Sequence, residues 1–100
     1  MIVIDLNDSR HELVGDPLKN LMLQLRPLKV GVIGLCNGNT ACGTCHVYVD
    51  RTRLDELPEP DEYELELLEE LAHREDNSRL ACQISYEPSL ADLTITVAPR

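Results

Sequence analysis

The four cysteines constrain this chain more than any other feature of its sequence. Three of them lie close together as Cys36-x5-Cys42-x2-Cys45, and Cys82 follows after 36 intervening residues. Structural zinc sites have their cysteines in two separated pairs, so the three-plus-one spacing argues against such a site. Plant-type iron–sulfur ligation uses C-x4-C-x2-C and a distant fourth cysteine, which differs by only one residue in the first gap. The spacing therefore favours four thiolates that converge on one metal centre.

The segment that contains the first two cysteines has the composition of a tight loop. Val30–Thr44 includes four glycines and two asparagines. Glycine adopts backbone conformations that other residues avoid, and it allows the backbone to approach a bound group closely. Such a loop can fold around a cluster and direct backbone N–H groups at its sulfur atoms.

The pattern of the remaining sequence predicts a small mixed domain. Strands are predicted at Met1–Leu6, Glu12–Val14, His46–Asp50, Cys82–Ser85 and Leu93–Val97. Helices are predicted from Asp16-Pro17 to Pro27 and over Asp61–Arg74, each with a proline at its start. On the second helix, the apolar arc expected to face the core consists of Tyr63, Leu65, Leu67, Leu68, Leu71 and Ala72. Strands and helices in mixed order predict one α+β domain over residues 1–100.

The formal net charge of −9 is concentrated in one segment. Residues 50–70 carry ten acids and two bases, whereas acids and bases balance over residues 1–49. Nucleic-acid binding is not expected, because it requires Lys and Arg to neutralise phosphates. No apolar run is long enough to span a bilayer, and the first residues do not resemble a signal peptide. We therefore expect a cytoplasmic protein without membrane insertion, whose cysteines are metal ligands or catalytic thiols rather than disulfides.

Three glutamates of the second predicted helix form the most distinctive part of this acidic segment. Glu62, Glu66 and Glu69 are spaced at i, i+4 and i+7, where like charges repel by about 0.2–0.5 kcal/mol per pair. A solvated helix face is the simplest explanation of such a run. A surface that retains this repulsion is also suited to a basic partner, so we predict that these glutamates form a docking surface. The like-charged face also favours a monomer.

Two motifs give the chain a resemblance to a known family. The first is Cys36-Asn37-Gly38-Asn39-Thr40-Ala41-Cys42-Gly43-Thr44-Cys45, followed by His46-Val47-Tyr48-Val49. The second is Ser78-Arg79-Leu80-Ala81-Cys82-Gln83-Ile84. With its wider first gap and its acidic helix, the chain resembles the adrenodoxin and putidaredoxin-type [2Fe–2S] ferredoxins over almost its whole length.

The resemblance implies a fold and a cofactor. The fold would be a β-grasp, in which a mixed sheet packs on a helix and a surface loop covers the cluster. One [2Fe–2S] cluster would bind per chain, with Cys36 and Cys42 on the iron nearer the surface and Cys45 and Cys82 on the inner iron. His46 would form hydrogen bonds beside the cluster loop without being a ligand, and the acidic helix would be the docking face.

The resemblance also implies a one-electron carrier that is not an enzyme. An NAD(P)H-dependent flavoprotein reductase would supply the electrons, and a cytochrome P450 or a ring-hydroxylating dioxygenase would accept them. Electron supply to iron–sulfur cluster assembly is a second role within the family. The residues alone leave two other classes open, a zinc-stabilised acidic interaction module and a dithiol oxidoreductase that uses Cys42-Gly43-Thr44-Cys45. The dithiol class leaves Cys36 and Cys82 unexplained.

Overall fold

A computed structural model describes residues 1–17, 19–33 and 43–99. These residues form one five-stranded sheet, two α-helices and four short 3-10 helices. The strands are β1 (Ile2–Ile4), β2 (Arg10–Glu12), β3 (His46–Val49), β4 (Ser78–Leu80) and β5 (Thr94–Val97). The α-helices are α1 (Leu21–Leu25) and α2 (Glu62–Glu70). The 3-10 helices are Arg26–Leu28, Arg51–Glu56, Ala81–Gln83 and Pro88–Leu90.

The sheet is mixed and has the strand order β2-β1-β5-β3-β4. β1 pairs in parallel with β5, and the other three neighbouring pairs are antiparallel. The first and last strands of the described chain therefore pair in the middle of the sheet, with β2 beyond β1 on one side and β3 and β4 beyond β5 on the other. Together with the helix packed against the sheet, this arrangement confirms the predicted α+β, β-grasp fold.

The core lies between the sheet and α1. Side chains alternate between the two faces of a strand, so Ile95 and Val97 are buried while Thr94 and Thr96 on the other face are only half-buried. The sheet and α1 contribute these buried side chains: Val3, Val47, Val49, Ile95, Val97, Leu21, Met22 and Leu25. Full burial of an aliphatic side chain of this size contributes about 1.5–3 kcal/mol, so this layer is the main source of stability in the fold.

α1 begins later than predicted. The side chain of Asn20, rather than that of Asp16, caps the helix by accepting the N–H of Leu23 at 3.0 Å. The buried amide of Gln24 accepts the N–H of Asp16 at 2.6 Å and donates to the carbonyl oxygen of Lys19 at 2.8 Å. The predicted start at Asp16-Pro17 is wrong because these bonds hold the preceding residues in a turn.

The N-terminal hairpin is tighter than predicted. The Asp5 carboxylate accepts the N–H groups of Asn7 and Ser9 at 2.8 and 2.9 Å, which folds residues 5–9 into a turn. β2 therefore occupies Arg10–Glu12 rather than Glu12–Val14. The predicted strands over residues 46–50 and 93–97 are confirmed as β3 and β5, each within one residue of its predicted bounds.

α2 is shorter than the predicted helix over Asp61–Arg74. It begins where the Asp61 carboxylate accepts the N–H of Glu64 at 2.9 Å, and it ends at Leu71, whose backbone is extended. The polar link before it contains the 3-10 helix Arg51–Glu56, which the sequence did not predict. Within the described residues, neither α1 nor α2 has the length and apolar character needed to cross a membrane.

Candidate metal centre

Two of the predicted ligands, Cys45 and Cys82, lie near each other where β3 meets the end of β4. The N–H of Ala81 donates to the carbonyl oxygen of Cys45 at 3.0 Å, which extends the antiparallel pairing of these strands by one more bond. Both cysteine side chains are buried, at 2% and 7% exposure. The Gln83 side chain donates from Nε2 to Cys82 Sγ at 3.4 Å. Two buried sulfurs, one of them with an N–H donor, suit thiolate ligation of an iron–sulfur cluster.

The turn that carries Cys82 differs from the predicted strand over Cys82–Ser85. β4 ends at Leu80, and Ala81–Gln83 forms a 3-10 turn. The carbonyl oxygen of Ile84 then accepts the N–H of Leu21 at 2.9 Å, which joins the turn to the start of α1. The prediction is wrong because the chain leaves the sheet to pack against α1, and this places Cys82 on a turn that is anchored on both sides.

Gly43 is the first described residue after the cluster-loop residues 34–42, which lie outside the described residues. Its φ of +67° is in the region that favours glycine, and a Cβ atom there would lie 2.6 Å from Leu71 Cδ2. Gly43 therefore packs closely on Leu71, the residue that follows α2. Cys36 and Cys42, the other two predicted ligands, lie outside the described residues. Within residues 1–17, 19–33 and 43–99, no group of three or more His, Cys, Asp and Glu side chains is arranged to hold a metal ion.

His46 is buried beside this centre and connects β3 to the segment before β4. Its Nε2 lies 2.7 Å from Ser78 Oγ, which also accepts the N–H of Glu75 at 2.9 Å. Its ring makes an edge contact with Tyr48, with ring centroids 5.2 Å apart. Burial lowers the pKa of His46 below its usual value, and the nearby His73 lowers it further. The predicted role of His46 in hydrogen bonding beside the loop remains a prediction, and these contacts suit it.

A buried ion pair joins α2 to β4. Arg79 donates from Nε and Nη2 to the two carboxylate oxygens of Glu64 at 2.8 and 3.2 Å. Glu64 also accepts the N–H of Leu80 at 2.9 Å, and Arg79 donates to the carbonyl oxygen of Pro58 at 2.7 Å. Glu64 is 1% exposed and Arg79 is 4% exposed. The pair therefore fixes α2 to the strand that leads into Cys82.

Comparison with known proteins assigns the family. Residues 4–87 match the 2Fe-2S iron-sulfur cluster binding domain. The chain belongs to this family. Mitochondrial ferredoxin-2 of Danio rerio is 38% identical over 84 residues, which cover 84% of this chain and 42% of that protein. Putidaredoxin of Pseudomonas putida is 32% identical over 102 aligned positions, which cover all of this chain and 95% of that protein.

A solved structure agrees with this assignment. The covalent complex of putidaredoxin reductase and putidaredoxin matches this ferredoxin with a TM-score of 0.91 at 32% identity, over 99% of this chain and 97% of that chain. The predicted family is therefore confirmed: the chain is a [2Fe–2S] ferredoxin of the adrenodoxin and putidaredoxin type. It is an electron carrier rather than an enzyme and binds one [2Fe–2S] cluster. It spans less than half the length of the Danio rerio relative and nearly all of putidaredoxin.

The acidic helix of the ferredoxin is arranged differently from the predicted helical wheel. Glu62, Glu66 and Glu69 are exposed, as predicted. Tyr63 and Leu65 were expected in the core but are 64% and 41% exposed. The inward positions of α2 are instead Glu64 and Leu68, both buried. The predicted apolar arc is thus wrong at Tyr63 and Leu65, and also at Ala72, which is exposed and lies beyond the end of α2.

Sequence reasoning did not assign three of the polar residues around the centre. Glu64 precedes the buried Leu68 by four residues and shares its side of the helix, but a charged residue type at that position is ordinarily assigned to solvent. Ser78 and Gln83 lie within the second motif, yet nothing in their residue types marks them as partners of His46 and Cys82. Their roles depend on contacts that the folded ferredoxin creates.

Proposed function

We propose that Cys36, Cys42, Cys45 and Cys82 are the four ligands of the cluster. The observation that carries this proposal is the position of Cys45 and Cys82, two buried residues whose backbone segments are joined by the bond from Ala81 to Cys45. The three-plus-one spacing supplies Cys36 and Cys42 from the same loop. Residues 1–100 would act as a single domain and a monomer, and the cytoplasm, where thiols stay reduced, is the compartment that suits them.

The residues of the chain would hold and shield the bound group. When bound, the cluster accepts and releases one electron at a time. Cys45 and Cys82 would bind iron as thiolates from positions that are almost closed to water. The N–H donated by Gln83 to the Cys82 sulfur would stabilise negative charge there, which is one of the ways a protein sets a cluster potential. The hydrogen bond between His46 and Ser78 would keep β3 and β4 in register around the site.

Single Cys→Ser substitutions test the ligand set. Each of the four variants should lose or alter the visible absorption of the purified protein and the EPR signal after reduction with dithionite. Thr44→Ser is the matched control, because it changes a side chain next to Cys45 and keeps the hydroxyl group. An unchanged spectrum in any one of the four cysteine variants would remove that residue from the ligand set.

We further propose that the ferredoxin receives electrons from an NAD(P)H-dependent flavoprotein reductase and delivers them to a terminal oxygenase. The complex of putidaredoxin with its reductase supports a reductase as donor for this related chain. The acceptor would be a cytochrome P450 or a ring-hydroxylating dioxygenase, with iron–sulfur cluster assembly as the alternative. Assaying the reduced protein with one purified acceptor of each class separates these roles, since electron transfer to the assembly machinery alone would contradict the oxygenase proposal.

The acidic face of α2 would be the docking surface for these partners. Glu62, Glu66 and Glu69 are exposed, and their segment carries nearly all of the net charge. Such a surface attracts a basic partner over about a Debye length and forms a small, short-lived interface that salt weakens. A short-lived complex suits a carrier that must leave its donor before it meets its acceptor.

A pair of charge-matched double variants tests this docking surface. Glu62→Gln with Glu66→Gln should slow reduction by putidaredoxin reductase at low ionic strength and have little effect at high ionic strength. Glu12→Gln with Glu87→Gln removes the same charge from exposed positions outside α2 and should leave the rate close to that of the wild type. Equal slowing by both pairs would assign the effect to net charge, and no slowing by the α2 pair would refute docking through α2.

A further inference from the structure

The exposed side of α2 contains an aromatic side chain within a row of carboxylates. Tyr63 is 64% exposed and has no hydrogen-bond partner among the described residues. Glu66 and Glu70 follow at i+3 and i+7 and therefore share its side of the helix, and both are exposed. Leu67 follows at i+4, the spacing at which an aromatic ring packs on an aliphatic side chain, and it is half-buried. This spacing suits packing of one face of the ring on Leu67, and the exposure of Tyr63 leaves much of the ring open to solvent.

Among the described residues, no arginine forms an ion pair with Glu66 or Glu70. Three nearby arginines are each bound elsewhere: Arg51 to Asp76, Arg53 to Glu56 and Asp92, and Arg79 to Glu64. Within the described residues, no glutamate of α2 other than Glu64 takes part in an ion pair. The carboxylates around Tyr63 therefore form no ion pair with a cation in the part of the chain that the structure describes, and their charge is available to a cation from another molecule.

We propose that Tyr63, Glu66 and Glu70 form a receptor for one arginine side chain on the surface of a redox partner. The guanidinium would stack on the open face of the phenol ring while the two carboxylates neutralise its charge. Arginine fits this site better than lysine because its planar guanidinium is weakly hydrated and stacks on aromatic rings. Tyr and Arg are also the residues most enriched where a few contacts dominate binding energy. The inference rests on the proposed docking role of α2 and adds to it a contact of short range, which salt screens less than the surrounding charges.

Homopeptides of arginine and of lysine, equal in length and blocked at both ends, serve as probes for this receptor. Binding to the holo-protein is measured by calorimetry and by amide chemical shifts of α2. The wild type should bind the arginine peptide more tightly than the lysine peptide, by at most about two- to fivefold, which is the effect of a whole cation–π contact at an exposed site, since lysine keeps part of that contact. Tyr63→Ala should weaken the binding of the arginine peptide and so bring the two affinities together. Tyr63→Phe should keep the difference between them.

The outcomes separate this inference from the docking role on which it rests. Glu66→Gln should weaken both peptides, because it removes charge that serves either cation. One outcome is that both peptides bind and Glu66→Gln weakens the binding of both, while Tyr63→Ala leaves the ratio of their affinities unchanged. This outcome refutes the arginine receptor and leaves docking through α2 standing. If neither peptide shifts the α2 amides at low ionic strength, docking through α2 fails as well. The visible spectrum of each variant verifies that the cluster is retained.

Discussion

Neutralising Glu64 is the most informative single substitution in this ferredoxin. Glu64→Gln keeps the size of the side chain and removes its charge from a site that is 1% exposed. It leaves the Arg79 guanidinium, 4% exposed, buried opposite an amide whose N–H groups cannot accept its hydrogen bonds. Removing one partner of a buried ion pair costs about 3–5 kcal/mol, because the remaining charge is desolvated without compensation. The whole domain is expected to have about 5–15 kcal/mol of stability, so this loss is a large fraction of the total.

The loss should be large enough to read in a thermal melt. For a domain of this size, about 1 kcal/mol lowers the melting temperature by roughly 4–8 °C, so Glu64→Gln should lower it by about 12 °C or more. Far-UV circular dichroism of the holo-protein at one fixed scan rate gives the comparison, because unfolding is coupled to cluster loss and is not two-state. Arg51→Gln is the surface control. It breaks an ion pair with Asp76 whose side chains are 57% and 80% exposed, and its melt should match that of the wild type.

A second variant identifies the cause of the loss. Glu64→Met with Arg79→Met replaces the pair by apolar side chains of similar length, which removes the buried charge altogether. It should recover part of the lost melting temperature. Recovery should be incomplete, because the N–H of Leu80 and the carbonyl oxygen of Pro58 lose their hydrogen-bond partners. If Glu64→Gln melts within about 2 °C of the wild type, well below the shift expected for a buried pair, water reaches the pair and it does not anchor α2.

Three further predictions address the contacts around the centre. Tyr48→Phe removes the bond from the Tyr48 hydroxyl to the carbonyl oxygen of His73 at 2.6 Å and should cost about 0.5–1 kcal/mol at neutral pH. Burial and, to a smaller extent, Glu75 raise the pKa of Tyr48 above 10.0. The wild type should therefore lose this stability as the pH rises above 10.0 toward the folded-state pKa, whereas the Phe variant should not. Thermal melts across this pH range measure the difference. Gly43→Ala should speed the loss of visible absorption on heating, because the new Cβ atom is strained at a φ of +67° and clashes with Leu71. Adding Leu71→Ala to this variant should relieve the clash but not the backbone strain, so it should slow the loss only in part. Removing the cluster with a chelator should lower the melting temperature in far-UV circular dichroism, because bound metal stabilises only the folded chain.

The alternation of residues 46–50 predicted β3, and the two cysteine motifs predicted the family and its fold through the resemblance that they carry. Both signals are local: a strand with one buried face alternates every two residues, and ligands on one loop have a fixed spacing. β4 could not be predicted in the same way. Arg79 lies at its centre, and an arginine in a three-residue run does not indicate a buried strand. Its burial depends on Glu64, which lies 15 residues earlier in the chain.

The same partner explains the error on the acidic helix. A helical wheel assigns apolar residues to the core and charged residues to solvent, so it directed Tyr63 and Leu65 inward. A carboxylate that can bind both a buried guanidinium and the N–H of Leu80 reverses this order, and α2 rotates to bury Glu64. Tyr63 is then exposed on the acidic side. The exposure of Tyr63 among the carboxylates of α2 thus follows from a buried ion pair that no local pattern indicates.

The glutamates of α2 therefore divide into two groups that a single experiment can separate. Glu64 is closed to solvent and cannot contact a partner, so its substitution should change thermal stability and leave the salt dependence of reduction unchanged in the protein that remains folded. Glu66 is exposed and has no intramolecular partner among the described residues, so its substitution should do the opposite. Glu64 anchors the first turn of α2 on β4, and Leu71 packs the other end on Gly43. The proposed docking helix is consequently ordered before any partner arrives, so binding does not have to order it, and this favours rapid exchange between donor and acceptor.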